Sequence, residues 1–261
     1  MSTPNPVTII IPARLGSTRF PAKVLADATG RPLIRHVWES ASSAFQTAGR
    51  NANVVVATDD NRVLAACRSF GAQCVMTSPR HPNGTSRLSE AARTLGLDDE
   101  HIVVNVQGDE PELDPRLIEA AVGSLETSGA EVATIASPFR HAQDHRDPNI
   151  VKCVLRRDAT ALYFSRAAIP CDRDAAASPP PPGRTTPPAA LRHVGLYAYR
   201  AGFLHRYAAM EPTPLEQLEK LEQLRVLEHG FRIAVAVMDS SHEGIDTPDQ
   251  YLRFVERWRA R

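Results

Sequence analysis

An open α/β fold, with a mostly parallel mixed sheet flanked by helices, is what this 261-residue sequence predicts. Three observations carry that expectation. Short β-branched runs alternate with helix-length segments through the first half, and strands so spaced need crossover helices and pair in parallel. The runs are apolar throughout, as in strands covered on both faces. Most of them close in a polar or charged turn, and ligands bind in such sheets beyond the carboxyl ends of the strands.

Val7-Thr8-Ile9-Ile10-Ile11, closed by Pro12, reads as the first buried strand. A cationic loop follows, from Ala13 to about Lys23, and Pro32 opens a helix through Ala44 as a first-turn proline. Val54 to Ala57 forms a second strand closed by Thr58-Asp59-Asp60, then a helix from Asn61 to Phe70 stops at Gly71. Gln73 to Met76 is a short strand, Thr85 to Leu95 a helix, Ile102 to Val106 the most apolar strand, and Pro115 begins a helix to about Glu126.

After residue 130 the rhythm loosens: Val132 to Ala136, Val151 to Leu155 and Gly195 to Tyr199 read as strands with less regular connections. Between them the proline-rich stretch 178–189 can be neither central strand nor helix interior, because proline fixes φ and lacks a donor; it is expected as a surface loop. Leu215, Leu218, Leu221, Leu224 and Leu227 recur every three residues. In one helix that stripe spirals, so the segment is expected to be buried on a broad face, part of it in a subunit contact.

Composition narrows the function. Thirty cationic and thirty acidic side chains balance, so no bulk field recruits nucleic acid or an anionic membrane, and any phosphate site needs a few placed cations. No apolar run is long enough to span a bilayer, and the polar first six residues lack a leader pattern, which sets the expectation of a cytoplasmic protein. Cys67, Cys74, Cys153 and Cys171 form no C-x-x-C pair and are expected as reduced, packed thiols.

Three segments carry candidate chemistry. Pro12 to Lys23 places three cations, Gly16 and the hydroxyls of Ser17 and Thr18 just after a strand; Arg14 and Lys23 suit phosphate, although neither common glycine-rich phosphate motif is present. A solvated basic turn is the plainer alternative. Asn105-Val106-Gln107-Gly108-Asp109-Glu110-Pro111 puts a carboxylate where a hard cation sits against phosphate, or simply caps a turn. Gly244-Ile245-Asp246-Thr247-Pro248-Asp249 offers another carboxylate, or merely a helix start.

Taken in order, these pieces resemble the 3-deoxy-manno-octulosonate (KDO) cytidylyltransferase family, the CMP-KDO synthetases of Gram-negative bacteria. Val56-Ala57-Thr58-Asp59, Met76-Thr77, Asn83-Gly84-Thr85, Ala161 to Ala167, Ile169-Pro170, Arg192-His193 and Glu219-x-Leu221-Glu222-Gln223 extend the likeness over residues 7–255, the proline loop excepted. The resemblance implies a Rossmann-like nucleotide-diphospho-sugar transferase fold. Residues 1–130 would form a nucleotide-binding part, and 131–261 a sugar-binding and dimerisation part of the same unit. It implies a homodimer, CTP and KDO as substrates, and Mg2+ as cofactor held by Asp109 and Asp246. Pro12, Ala13, Arg14, Lys23, Met76, Thr77, Gly84, Gln107 and Asp109 would line the nucleotide site, with Arg14 and Lys23 on the triphosphate. Arg166, His193, Tyr197, Glu219 and Gln223 would form the sugar pocket.

Two departures stand out: Ser86 where the family carries an acid, and Cys171 where it prefers an aromatic residue. An amino analogue of KDO remains an alternative substrate. Sialate enzymes share the fold but carry a different first loop. A catalytically silent nucleotide-binding module is the reading of another class; the presence of Arg14, Lys23, Asp109 and Asp246 speaks against it.

Overall fold

β1 (Val7–Ala13) is the spine of the sheet. Its Ile9 and Ile11 enter one apolar core and Ile10 the other, all three fully buried. Each such burial stabilises by roughly 1.5–3 kcal/mol. The chain is described by a computed structural model covering residues 5–16, 19–46, 49–81, 83–173, 190–241 and 244–260. Ser17, Thr18 and the proline-rich stretch 178–189 lie outside the described residues, so the sequence expectations there have no structural counterpart.

β2 (Ala52–Thr58), β3 (Gln73–Met76), β4 (Ile102–Asn105), β5 (Val132–Ser137), β6 (Lys152–Leu155), β7 (Ala161–Ser165), β8 (Leu191–Arg200) and β9 (Ile233–Val237) complete one mixed sheet. Its main path runs β3-β2-β1-β4-β8-β5-β9, and every strand on that path except β8 points the same way. The sequence-predicted mostly parallel mixed sheet is therefore the fold. β1 runs two residues past its expected stop, through Pro12. Val106 N–H donates to the Ile10 carbonyl, so Ile10 and Pro12 face β4, whose ladder ends at Asn105. The missing proline donor costs nothing there.

Helices cover both faces. α1 (Leu33–Ser42), α2 (Asn61–Ser69) and α4 (Pro115–Ser128) pack on one core. α3 (Gly84–Thr94), α5 (Ala201–Ala209) and the Leu221–Val226 region pack on the other. Local chemistry sets their ends: Asp60, Asn83 and Asp114 cap helices with their side chains, and Gly129 closes α4 at φ 63°. β9 and α5 had no clear signal in the sequence, since their apolar runs are short.

The leucine stripe is not one helix. α6 (Pro214–Glu219) and α7 (Gln223–Glu228) are separated at Lys220, whose backbone is left-handed at φ 54°. Leu221 and Leu224 are buried, whereas Leu218 is 80% exposed. The break lets the Glu219 carboxylate turn back onto Ser165 Oγ and Arg166 N–H, at 2.6 and 2.8 Å, which a continuous helix would not allow. β8 also begins earlier than Gly195, at Leu191, because Lys152 and Cys153 of β6 pair with Arg192 and Leu191. Finally, α8 (Pro248–Arg259) opens with Thr247 and Gln250 in a capping box, as the Asp-Thr-Pro signal predicts. No helix among the described residues is long and apolar enough to cross a membrane.

Candidate active site

The site lies at the carboxyl ends of β1, β2 and β4. Gly108 is required for its closeness: a Cβ there would meet the Pro12 carbonyl oxygen at 2.8 Å, so only glycine lets the turn after β4 lie against the end of β1. Ala22 takes the left-handed region at φ 55°, costing roughly 1–2 kcal/mol, and delivers Lys23 inward.

The Lys23 ammonium uses all three of its donors. It bonds Asp109 Oδ2 at 2.5 Å, Asp246 Oδ1 at 3.1 Å and the Ile245 carbonyl at 2.9 Å. The two acids remote in sequence thus meet on one cation. A backbone bond from Ile245 N–H to the Asp109 carbonyl, 2.8 Å, ties their loops together. Ile245 itself is anchored in a small core with Leu33, Tyr251 and Phe254. Arg19 adds an exposed ion pair to Asp246 at 3.0 Å. Burial pushes the Asp109 carboxyl above the ordinary carboxylate range, Lys23 pulls it back, and the neighbouring Glu110 and Asp246 charges raise it again.

Arg14 differs from Lys23: its Nη2 is buried with no partner among the described residues. Burial lowers its pKa, as does the adjacent Arg87 cation, while Asp59 and Glu222 oppose that. A desolvated guanidinium with an open donor, beside a second cation, has the chemistry to bind an anion. Arg87 is fully buried and bonds Asp59 Oδ2 at 2.6 Å and Thr77 Oγ1 at 2.5 Å. Thr77 Oγ1 donates in turn to the Thr58 carbonyl, so that hydroxyl is already engaged in the fold. Met76 is half-exposed at the end of β3.

Beside these groups opens a cleft of about 320 Å3, at the small end of the roughly 300–1,000 Å3 of small-molecule sites and sized for one compact ligand. It exists because one edge of β8 is shared. β4 pairs with its Tyr197–Arg200 half and β6 with Leu191 and Arg192, leaving the stretch between uncovered. Gly84, Gln107, His193, Tyr197 and Gln223 line it, together with Asn105, Gly195 and Glu222, which sequence reasoning did not single out. The Asn105 side-chain oxygen is buried without a partner among the described residues. Glu222 accepts from Thr85 Oγ1 at 2.7 Å, and burial raises its pKa. It lies just after the break at Lys220 and lines the cleft.

Two sugar-site expectations are displaced. Arg166 and Glu219 do not line the cleft. The Arg166 guanidinium donates to the Glu219 and Pro148 carbonyls at 2.7 and 2.9 Å, and the Glu219 carboxylate holds Ser165 and Arg166. They brace the wall from behind. His193 stands on the cleft floor, and burial without a compensating acid pushes its imidazole down to about 3, so it is neutral at ordinary pH.

Asp109 and Asp246 fit a hard divalent cation: both are oxygen donors, and an ammonium already sits between them. No group of three or more candidate metal ligands occurs among the described residues. Two carboxylates meet the needs of Mg2+, which is commonly held by one or two carboxylates plus substrate phosphate.

Residues 8–233 match the family described as cytidylyltransferase. The 3-deoxy-manno-octulosonate cytidylyltransferase of Syntrophobacter fumaroxidans is 49% identical over 241 residues, covering 92% of each chain. The chain belongs to this cytidylyltransferase family. The counterpart in Xanthomonas euvesicatoria pv. vesicatoria is 49% identical over 257 residues, 97% of this chain and 96% of that one. A solved CMP:2-keto-3-deoxy-manno-octonic acid synthetase complexed with CTP superimposes with a TM-score of 0.87 at 36% identity, over 98% of this chain and 99% of that one. The 4-diphosphocytidyl-2C-methyl-D-erythritol synthase of Anaerococcus prevotii, at 12% identity and TM-score 0.60 over 98% of this chain and 97% of that one, shares the fold alone. The fold is the Rossmann-like one of the nucleotide-sugar transferases.

The departures from the family pattern now have a setting. Ser86, in the first turn of α3, bonds the Asn83 carbonyl and His81 Nδ1, both at 3.1 Å, and His81 also contacts Glu90. Glu90 also accepts from the Ser78 N–H at 2.9 Å. Cys171 is exposed, unlike the buried Cys67 and Cys153, so the expectation of packed thiols fails at that position. It directly follows the Ile169-Pro170 peptide.

Proposed function

We propose that the protein transfers the cytidylyl group of CTP to KDO, giving CMP-KDO and pyrophosphate for lipopolysaccharide assembly in the cytoplasm. The observation that carries this reading is the meeting of Asp109 and Asp246 on Lys23 beside the open Arg14 guanidinium, next to a sugar-sized cleft. Membership of the family, and likeness to a synthetase solved with CTP, support it.

The reaction needs the sugar's anomeric hydroxyl to attack the α-phosphorus in line with departing pyrophosphate, so positioning and charge neutralisation dominate. Arg14 binds the triphosphate through its open Nη2 and stabilises charge growing on the leaving group. Pro12, Ala13 and the amino end of α3 at Gly84 frame the nucleotide, with Met76, Thr77 and Gln107 around cytidine. His193, Tyr197 and Gln223 orient the sugar in the cleft, braced by Arg166 and Glu219. Asp109 and Asp246 would hold Mg2+, which supplies Lewis acidity toward the phosphate and the attacking hydroxyl. With the two carboxylates engaged by a divalent ion, Lys23 would be free to present its ammonium to the phosphates. A homodimer belongs to the same reading, with Leu162 and Leu218 as exposed apolar candidates for its interface.

The test is pyrophosphate release across a sugar panel. CTP with KDO and Mg2+ is expected to react, whereas UTP, sialic acid, or omission of Mg2+ is expected to give little product. An amino analogue of KDO turning over faster than KDO would reassign the sugar. Asp109→Ala is expected to lower turnover far more than CTP affinity, and equal turnover would overturn its role. Light scattering checks the dimer.

A further inference from the structure

β8 carries an irregularity opposite Thr134. The register passes from Thr134↔Tyr197 to Ile135↔Val194, so Gly195 and Leu196 are extra residues against β5. Such a bulge frees backbone carbonyls from the ladder. Thr134, fully buried, meets them: its Oγ1 lies 2.7 Å from the Leu196 carbonyl and 3.3 Å from that of Val194. The same oxygen lies 2.9 Å from His193 Nε2.

A threonine hydroxyl has one proton to give. Both carbonyls can only accept, and the shorter contact takes that proton. Toward His193 the hydroxyl must then accept, which places the imidazole hydrogen on Nε2. A neutral imidazole carries only one such hydrogen, so Nδ1 is a bare acceptor. The only side-chain hydrogen bond of His193 among the described residues is the one at Nε2, and His193 lines the cleft. The ring is held by Phe164 edge-on, with centroids 5.0 Å apart, and by Tyr197 at 5.3 Å. The buried, unpartnered Asn105 Oδ1 lines the same cleft.

We infer that Thr134 is a positioning residue: it fixes His193 as the Nε2–H tautomer, so that the cleft presents Nδ1, with Asn105 Oδ1, as acceptors for hydroxyl donors of the sugar. This rests on the proposed sugar-binding reading of the cleft, and it deepens that reading by stating which hydrogen-bond polarity the floor recognises. Thr134 touches no substrate. Its effect passes through the ring it orients, and a floor of this polarity discriminates against sugars whose hydroxyls at these points are replaced by acceptors.

The first measurement needs no substrate. In 15N-labelled protein the two imidazole nitrogen shifts of His193 separate a protonated from a bare nitrogen. Wild type is expected to show Nε2–H, and Nδ1–H would overturn the inference whether or not the enzyme uses KDO. Thr134→Ser keeps the hydroxyl and is expected to keep the tautomer and the kinetics. Thr134→Val removes the acceptor and is expected to give a mixed tautomer, with the sugar KM raised roughly tenfold and the CTP KM unchanged. Should Thr134→Val not fold, the wild-type and serine spectra still decide. A Thr134→Ser variant with the opposite tautomer, or a folded Thr134→Val with wild-type sugar KM, would refute the assignment. Absence of KDO turnover in wild type, with the tautomer as expected, would instead overturn the sugar reading.

Discussion

Removing the Lys23 ammonium while keeping its apolar stem tests the centre of the site. In Lys23→Met three hydrogen bonds are lost at once, to Asp109, Asp246 and the Ile245 carbonyl. The Lys23 side chain is 11% exposed and that of Asp109 26%, so this is a largely desolvated pair. Breaking such a pair costs about 3–5 kcal/mol, because a charge is left buried alone. Partial exposure of Asp109 puts the expected loss near the lower end, about 3 kcal/mol; the Asp246 contact, 43% exposed on the acid side, adds only a few tenths. A domain of ordinary stability, about 5–15 kcal/mol, still folds. The sign with pH follows from Asp109. Burial already raises its pKa, and losing Lys23 raises it further, so the folded state binds that proton more tightly than the unfolded chain. The deficit is therefore full at neutral pH and shrinks as acid protonates the carboxyl. A divalent cation should also restore stability more in the variant than in wild type, since it no longer competes with an ammonium. Urea unfolding with and without MgCl2, at neutral and mildly acidic pH, reads all three effects. A loss under about 1 kcal/mol, or a deficit indifferent to both Mg2+ and acid, would refute the reasoning.

Other expectations follow from single groups. Arg14→Met should weaken CTP binding at least tenfold by calorimetry while leaving stability unchanged or raised by roughly 1 kcal/mol, because a guanidinium whose Nη2 is buried without a partner among the described residues leaves the fold. Gly195→Val should fold normally, since no atom lies within 4 Å of a Cβ there, yet fill the cleft floor; an unchanged sugar KM would show that the sugar binds elsewhere. His193, held down at about 3 against 6.5 when free, favours the unfolded chain as pH falls below 6.5. His193→Gln should flatten that acid slope of stability, by up to a few kcal/mol, in urea titrations between about pH 6.5 and 4.

Much of the fold was legible as local chemistry. β1, β2 and β4 declared themselves through β-branched runs, α4 through its first-turn Pro115, and α8 through Thr247 and Pro248. The same rules misjudged the leucine stripe, because a three-residue repeat says nothing of the carboxylate at Glu219 that is drawn to Ser165 and Arg166. Candidate residues were legible as motifs, yet Glu222, Asn105 and Gly195 carried no assigned role, since their place in the cleft depends on what surrounds them.

By itself, then, the sequence determined most of the strands, the proline-marked helix starts and which side chains were available as cations and acids. These depend on torsional preferences and neighbours a few residues away. Tertiary structure alone decided that Lys23 uses its donors on two acids, that Arg14 keeps one open, and that Thr134 meets His193 across a bulge. Those outcomes are set by contacts spanning 59 to 223 residues, where a hydrogen bond exists only once the sheet has closed.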